Sequence, residues 1–397
     1  MKKRFVIWML VVCAMMLCAA AANADSVIMN ADIQKDGPVG SSFTIRPEEI
    51  MVASVDGSFT IELTRKPFTP PAGMAPPAAA EKDDKNAQGG FPADFAPSTG
   101  ESAPEQLTIY SIEYLADGSI VLNTENYSTD NNFTISLISS ENQEVLHQWT
   151  EADLAEIKYG AIDSFTTGVY EGSYEDKNGQ TVPLSIVYAL YVPEQADENT
   201  PMVVTMHGSG ESGNDGLAHL TANQLNSCWV EEVWQKEHPC YVLAPQFPDS
   251  AISNDLELRD SYLKVYHDML EAFKQTYRPS SVYLASLSMG SRLGFRYLTL
   301  YPNYFDAAIM CCGALQNADP SEITEMPVWF VHAISDGTNL SQNSADAFNQ
   351  AVAAGNTQAR LTLIPDEGLD GAGAHFAAWQ IAYSDNSAYM NWLFEQK

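Results

Sequence analysis

The sequence predicts an α/β protein: a doubly wound, mainly parallel sheet covered by helices, preceded by a small all-β sandwich. Two patterns predict the larger part. From residue 183 onward, near-continuous apolar runs recur at 184–192, 202–206, 241–244, 282–287, 307–312, 328–332 and 361–364. Helical periodicity appears between and after them, at 259–276, 290–301, 344–354 and 386–396. Strands without polar alternation, separated by helices, belong in a parallel sheet buried on both faces. A third pattern sets the smaller part aside. Residues 25–150 carry short β-branched and aromatic runs with turn signals and no helical period.

The chain opens with Lys2, Lys3 and Arg4, an apolar run over 5–20, and the small residues Ala22-Asn23-Ala24. This is the pattern of a secretory signal peptide over 1–24, so a secreted or periplasmic bacterial product is expected. Cys18 invites comparison with a lipid-modified cysteine, but Met15-Met16-Leu17 before it lacks the small residues that such processing prefers. No later stretch reaches the ~18 consecutive apolar residues that span a bilayer. With 397 residues the chain exceeds one ordinary core, and domains at 25–150 and 151–397 are expected. Its net charge of −31 repels nucleic acid and anionic membranes. Four cysteines follow the leader: Cys228, Cys240, Cys311 and Cys312. Export permits disulfides, and Cys228 with Cys240 is the expected pair. Adjacent Cys311 and Cys312 end an apolar strand, where at least one serves as a small core residue. No Cys/His spacing resembles a zinc site.

In the β part, runs at 42–45, 50–54 and 58–64 surround an Asp56-Gly57 turn. A second group, 107–114 and 119–123, flanks Ala116-Asp117-Gly118 and is followed by 132–138. Between the groups, 67–105 is dominated by Pro, Ala, Gly and acidic residues, and a disordered insert or long mobile loop is expected. Residues 151–180 read as a junction ending in a hairpin that turns at 176–179. Within 259–276, Tyr262, Val265, Tyr266, Met269, Leu270 and Phe273 recur at the spacing of a buried helix face.

The chemistry centres on Ser286-Leu287-Ser288-Met289-Gly290, where an apolar strand stops and an amphipathic helix starts. A serine at such a turn is a nucleophile elbow, whose strained backbone demands small residues two before and two after. Here those are Ser286, in place of the usual glycine, and Gly290. The acid and base of such a site follow in the order Ser, Asp, His. Asp336 lies just beyond the strand ending at His332, and His375 is the one histidine after it, in a glycine-rich stretch read as a loop. Asp366, Glu367 and Asp370 are the competing acids. The catalytic assignment is therefore Ser288, Asp336 and His375. Serine needs a base to become a nucleophile, and the base needs an acid to fix its tautomer. The tetrahedral oxyanion needs backbone donors. Met289 supplies one N–H, and Ser209 or Gly210, in His207-Gly208-Ser209-Gly210-Glu211-Ser212-Gly213, supplies the other. His207 and His332 read as structural. Trp229, Gln246, Phe376 and Trp379 are candidates to line the substrate pocket, with ordinary core packing as the equal alternative for each.

The set His207-Gly208-Ser209-Gly210-Glu211, Leu243-Ala244-Pro245-Gln246, Ser286 to Gly290, His332 to Asp336 and His375 with Trp379 resembles secreted bacterial α/β-hydrolase carboxylesterases. These are the polyhydroxybutyrate-depolymerase-like or prolyl-oligopeptidase-like esterases, some with an N-terminal immunoglobulin-like domain. The resemblance covers about 165–397. It implies hydrolysis of small or polymer-linked carboxylic esters, with no metal or organic cofactor. Two departures stand out: Ser286 for glycine, and Ser212 where such proteins usually carry an arginine after the glutamate. A serine peptidase of prolyl-oligopeptidase type and a non-catalytic surface-binding protein on a hydrolase scaffold remain as alternatives. The small sandwich argues against the first, because it cannot form a gating propeller. The complete Ser–Asp–His order argues against the second. Acyl and alcohol specificity and oligomeric state are not written in these motifs.

Overall fold

The computed structural model describes residues 25–47, 57–65, 103–115, 117–139, 141–253, 255–365 and 371–396. The leader 1–24, the strand expected at 50–54, nearly all of the 67–105 insert and the acids Asp366, Glu367 and Asp370 lie outside these residues. The chain divides into two compact units, and its main boundary falls between Gly160 and Ala161.

In the first unit the described strands are β1 (Ser26–Gln34), β2 (Gly37–Arg46), β3 (Gly57–Arg65), β4 (Glu105–Leu107), β5 (Ile109–Tyr114), β6 (Ile120–Ser128), β7 (Asn131–Ser139), β8 (Val145–Thr150) and β9 (Leu154–Lys158). They form two sheets, β5-β6-β2-β1-β9 and β4-β3-β7-β8. Alternation directs Phe43, Ile45, Ile120 and Leu122 from one sheet and Phe59, Ile61, Leu63 and Ile135 from the other into one core. The junction stretch contributes β9, which pairs parallel with β1.

The second unit holds β10 (Thr166–Glu175), β11 (Thr181–Tyr191), β12 (Met202–Met206), β13 (Tyr241–Gln246), β14 (Val282–Leu287), β15 (Ala307–Cys311), β16 (Val328–Ala333) and β17 (Ala359–Ile364). They form one sheet in the order β10-β11-β13-β12-β14-β15-β16-β17. Strand β11 runs antiparallel to both β10 and β13, while β12 to β17 are mutually parallel. Every residue of β12, β13, β14 and β15 is buried, which explains their lack of polar alternation. The chain leaves β12 for β13 on one side, and β14 then pairs on β12's other side. Loops following β12 and β14 therefore open onto one crevice, the switch point where ligands bind in open α/β sheets.

The helices are α1 (Ala218–Thr221), α2 (Gln224–Ser227), α3 (Glu232–Glu237), α4 (Leu256–Tyr277), α5 (Met289–Leu300), α6 (Gln342–Ala353), α7 (Gly371–Ala382) and α8 (Ala388–Glu395). Helix α4 starts where the Asp255 side chain accepts from the Leu258 N–H and stops at Arg278 in the left-handed region. Its six periodic apolar residues are all buried.

The structure corrects two expectations here. No Cys228–Cys240 disulfide is present; both are buried free thiols. Their S–H groups point to separate carbonyls, of Leu225 and Trp229, at 3.9 Å each. Burial pushes the Cys240 thiol up to about 12, which leaves it unreactive. The stretch around His375 is also not a loop. It forms α7, whose alanines (Ala374, Ala377, Ala378 and Ala382) favour a helix strongly enough to outweigh its glycines.

Candidate active site

Ser288 occupies the turn between β14 and α5 at φ 49°, ψ −115°, a strained conformation for a residue with a side chain. The neighbours explain how that turn is tolerated. A Cβ on Gly290 would lie 1.9 Å from the Met206 carbonyl oxygen, so only glycine fits. Ser286, the departure from the usual glycine, is fully buried with its hydroxyl satisfied. It donates to the Ile309 carbonyl at 3.2 Å, which leaves its oxygen to accept from the Ser291 hydroxyl at 2.9 Å.

The loop after β16 and helix α7 converge on Ser288. The His375 Nε2 lies 3.0 Å from the Ser288 Oγ, and the His375 Nδ1 lies 2.7 Å from the Asp336 Oδ2. The other carboxylate oxygen of Asp336 accepts the N–H groups of Thr338 and Asn339 at 2.8 and 3.0 Å. Burial alone would raise the Asp336 carboxyl. Hydrogen bonds from His332 and His375, with the nearby His375 charge and the Asn339 N–H, outweigh it and hold the group well below the usual carboxylate range. The arrangement can take the Ser288 proton at Nε2 and hold the opposite nitrogen in its protonated form.

His332 contributes more than strand shape. Its Nε2 faces the Asp336 Oδ2 at 3.1 Å and the Asn339 carbonyl at 2.9 Å. Both are acceptors, so Nε2 must carry hydrogen, and Nδ1 accepts from the Ser344 hydroxyl at 2.8 Å. Asp336 is thus held by two histidines and two backbone donors. The sequence signal was a histidine four residues before the aspartate.

The loop after β12 lies over Ser288. A Cβ on Gly208 would stand 3.7 Å from the Ser288 Cβ. Residues Ser209–Glu211 form a short 3₁₀ turn in which Ser209 and Gly210 are exposed. The first N–H groups of such a turn, like that of Met289 at the start of α5, lack acceptors within their own element. His207 fixes this loop as a neutral ring: Nδ1–H donates to the Gly208 carbonyl at 2.7 Å, and Nε2 accepts the Phe247 N–H at 2.8 Å.

The four proposed pocket residues separate into two pairs. Trp229 is completely buried among Trp234, Tyr383 and Phe394, so it is core packing and cannot line a pocket. Gln246 is also completely buried. It accepts the Gly216 N–H and donates to the Glu211 carbonyl and the Asp215 carboxylate, bracing the loop after β12. Trp379 and Phe376 do adjoin the histidine. Trp379 meets the His375 ring edge-on at 5.1 Å, and Phe376, 38% exposed, packs on Trp379 at 5.0 Å.

Glu211 stands out in the same loop. It is buried, with Oε1 bonded to the Asn223 amide at 3.0 Å and Oε2 without a hydrogen-bond partner. Burial raises its carboxyl to about 7. Cys312, Asp336 and His375 offer ligand atoms within 4.8 Å of one another. A cation there would compete with the hydrogen bond between His375 and Asp336, so the donor set suits proton transfer better than metal binding.

Neither the protein-family models nor the curated proteins give a match to this chain. Solved structures do. One is a thermostable esterase, with a TM-score of 0.66 at 19% identity, covering 94% of this chain and 100% of that one. Est1E from Butyrivibrio proteoclasticus matches with a TM-score of 0.39 at 13% identity, over 57% of this chain and 99% of that one. A cold-adapted esterase from an Arctic intertidal metagenomic library gives 0.39 at 14% identity, over 51% and 85%. Only the first bears on architecture, and it spans both units of this chain. The fold is that of an α/β-hydrolase. Within this fold, Ser288, Asp336 and His375 occupy the loops after β14 and β16 and the helix that follows β17.

Proposed function

We propose that the protein is a secreted serine carboxylesterase that hydrolyses small or polymer-linked carboxylic esters through an acyl-enzyme on Ser288. One observation carries this reading: a serine in a strained strand-to-helix turn, hydrogen-bonded through His375 to a buried, ionised Asp336. His375 Nε2 takes the Ser288 proton as Oγ bonds to the ester carbonyl carbon. The resulting oxyanion is met by the Met289 N–H and by an N–H of Ser209 or Gly210. His375 then returns the proton to the departing alkoxide, the carbonyl re-forms, and the alcohol leaves. Water, deprotonated by the same imidazole, attacks the acyl-enzyme and releases the acid and free Ser288. Asp336 keeps hydrogen on Nδ1 and stabilises the imidazolium in both halves. Phe376 and Trp379 flank the histidine and offer apolar contact to substrate. Residues 1–24 direct export, and the β-sandwich unit is the immunoglobulin-like domain of such enzymes.

The test uses a short-chain p-nitrophenyl ester and a fluorophosphonate. The mature protein should hydrolyse the ester and take one covalent label at Ser288. Labelling that persists in Ser288→Ala at unchanged yield would show that the nucleophile lies elsewhere.

A further inference from the structure

Strand β15 lies between β14 and β16 in the sheet, so its end sets the spacing between Ser288 and Asp336. That end is unusual. Cys312 is fully buried and adopts φ 45°, the left-handed region that strains a residue with a side chain. Three hydrogen bonds hold it there. The Ser288 N–H donates to the Cys311 carbonyl at 2.9 Å, and the Cys312 N–H donates to the Val331 carbonyl at 2.9 Å. The Asn339 side-chain amide donates to the Cys312 carbonyl at 2.7 Å. One dipeptide thus meets the Ser288 turn through one carbonyl and the Asp336 loop through the next.

Asn339 grips Asp336 at the same time. It is buried, and its N–H donates to the Asp336 Oδ1 at 3.0 Å. Its carbonyl accepts from the His332 Nε2 at 2.9 Å, the group that faces the Asp336 Oδ2 at 3.1 Å. These two backbone bonds are open to any residue with an N–H at 339. The bond to Cys312 needs a side-chain donor of this reach. Around it the loop bonds to itself: the Asp336 N–H to the Ala333 carbonyl, the Thr338 N–H to the Asp336 Oδ1, and the Ser341 hydroxyl to the Ile334 carbonyl. Without the amide, the buried Cys312 carbonyl would lose its donor and the Asp336 loop its tie to β15. The titratable groups against the Asp336–His375 pair are Cys312 from β15 and His332 from β16, with Ser288 at the far nitrogen.

We infer that Asn339 is a positioning residue for the reaction: by bonding the Cys312 carbonyl, its side chain holds the Asp336 carboxylate where His375 needs it. The inference rests on the esterase reading above and adds to it a residue that touches no reacting atom. Asn339 acts through Asp336, whose bond to the His375 Nδ1 at 2.7 Å keeps the tautomer and steadies the imidazolium. Displacing the carboxylate weakens both effects, and misplacements of about 1 Å cost on the order of 10²-fold in rate.

Asn339→Ala in the mature protein makes the test, with active sites counted by a fluorophosphonate and turnover read on p-nitrophenyl butyrate. Per active site, kcat should fall by about tenfold or more while KM stays within about threefold. The acid limb of the kcat/KM profile should move to lower pH, because a carboxylate held less well stabilises the imidazolium less. Asn339→Gln keeps an amide donor and should recover part of kcat; a glutamine variant as slow as the alanine one would overturn the role of the amide. Asn339→Thr, closer in volume and shorter in reach, takes the place of the alanine variant if that does not fold. A lower melting temperature with kcat and the acid limb unchanged would overturn the inference and leave Asn339 a structural residue. A wild-type protein that neither hydrolyses the ester nor takes the label would remove the esterase reading alone. The tie is then decided by NMR: the downfield proton resonance of the His375 Nδ1–H should move upfield or vanish in Asn339→Ala, and an unchanged resonance overturns it.

Discussion

Replacing Glu211 by glutamine should make the protein more stable at pH 8 and flatten its pH dependence. The carboxyl is buried, has one oxygen bonded to Asn223 and the other unpartnered, and is raised from 4.5 to about 7 by burial. His207, whose Nδ1 stands 4.0 Å from Glu211, cannot supply a counter-charge. Burial and the neighbouring His219 hold it down at about 3, and its second nitrogen already accepts the Phe247 N–H. His219 is likewise held at about 4, chiefly by burial. A carboxyl raised in the folded state contributes stability that is complete below its unfolded value near 4.5 and is lost as pH climbs through about 7. Linkage between these limits gives roughly 2.5 kcal/mol lost by Glu211 between pH 5 and pH 8. The histidines work the other way: their contribution is present above 6.5 and lost as pH falls towards 4 and 3. Both proteins share them, so the difference between wild type and Glu211→Gln isolates the carboxyl. Urea unfolding at pH 5, 6, 7 and 8 should give a difference that shifts by about 2 kcal/mol in favour of the variant as pH rises. Parallel pH profiles would refute the reasoning and mean that Glu211 is ionised and compensated throughout.

Other expectations follow from the same geometry. His375→Ala should lose at least ~10³-fold in kcat with folding intact, because members of a triad act as a unit. Asp336→Asn should fold yet lose most of its turnover through the wrong imidazole tautomer, measured on the same p-nitrophenyl ester. His332→Gln, which can still donate to Asp336, should keep more kcat than His332→Leu, which also strands the Ser344 hydroxyl. Equal turnover in the two would make His332 purely structural. Gly290→Ala should cost ~2 kcal/mol or more in unfolding experiments, since its Cβ would meet the Met206 carbonyl at 1.9 Å.

Much of the second unit was legible because its signals are local. Fully buried parallel strands read as unbroken apolar runs, and α4 announced itself by six apolar residues at helical spacing. Helix α7 was misread because glycines suggest a loop, while the alanines between them carry little visible pattern. The Cys228–Cys240 pairing failed for a different reason. Proximity in sequence and an exported chain permit a disulfide, but only coordinates show each thiol directed to its own carbonyl. Trp229 and Gln246 were candidates for the pocket, with core packing as the equal alternative, because both lie near loops expected at the sheet's C-terminal edge. The direction of a side chain at a strand end depends on tertiary packing, which one-dimensional spacing does not encode.

The two departures from the esterase pattern that the sequence resembles show how unequal single substitutions can be at one site. Serine in place of glycine at 286 adds a buried hydroxyl, and the fold absorbs it through the Ile309 carbonyl and the Ser291 hydroxyl. Nothing is left unpaired, so the elbow keeps its geometry. Serine at 212, where an arginine is usual, removes a charge instead of adding a dipole. The consequence falls on Glu211, whose Oε2 lacks a partner beside an equally unpartnered Ser212 hydroxyl. A buried carboxylate without a cation is costly, and protonation is its way out. The loop that lies over Ser288 thus carries a group that titrates near neutrality, while Asp336, three strands away in the sheet, is held ionised by four donors. Family resemblance made both positions visible in the sequence. Whether each change is silent depends on which neighbours remain to satisfy it.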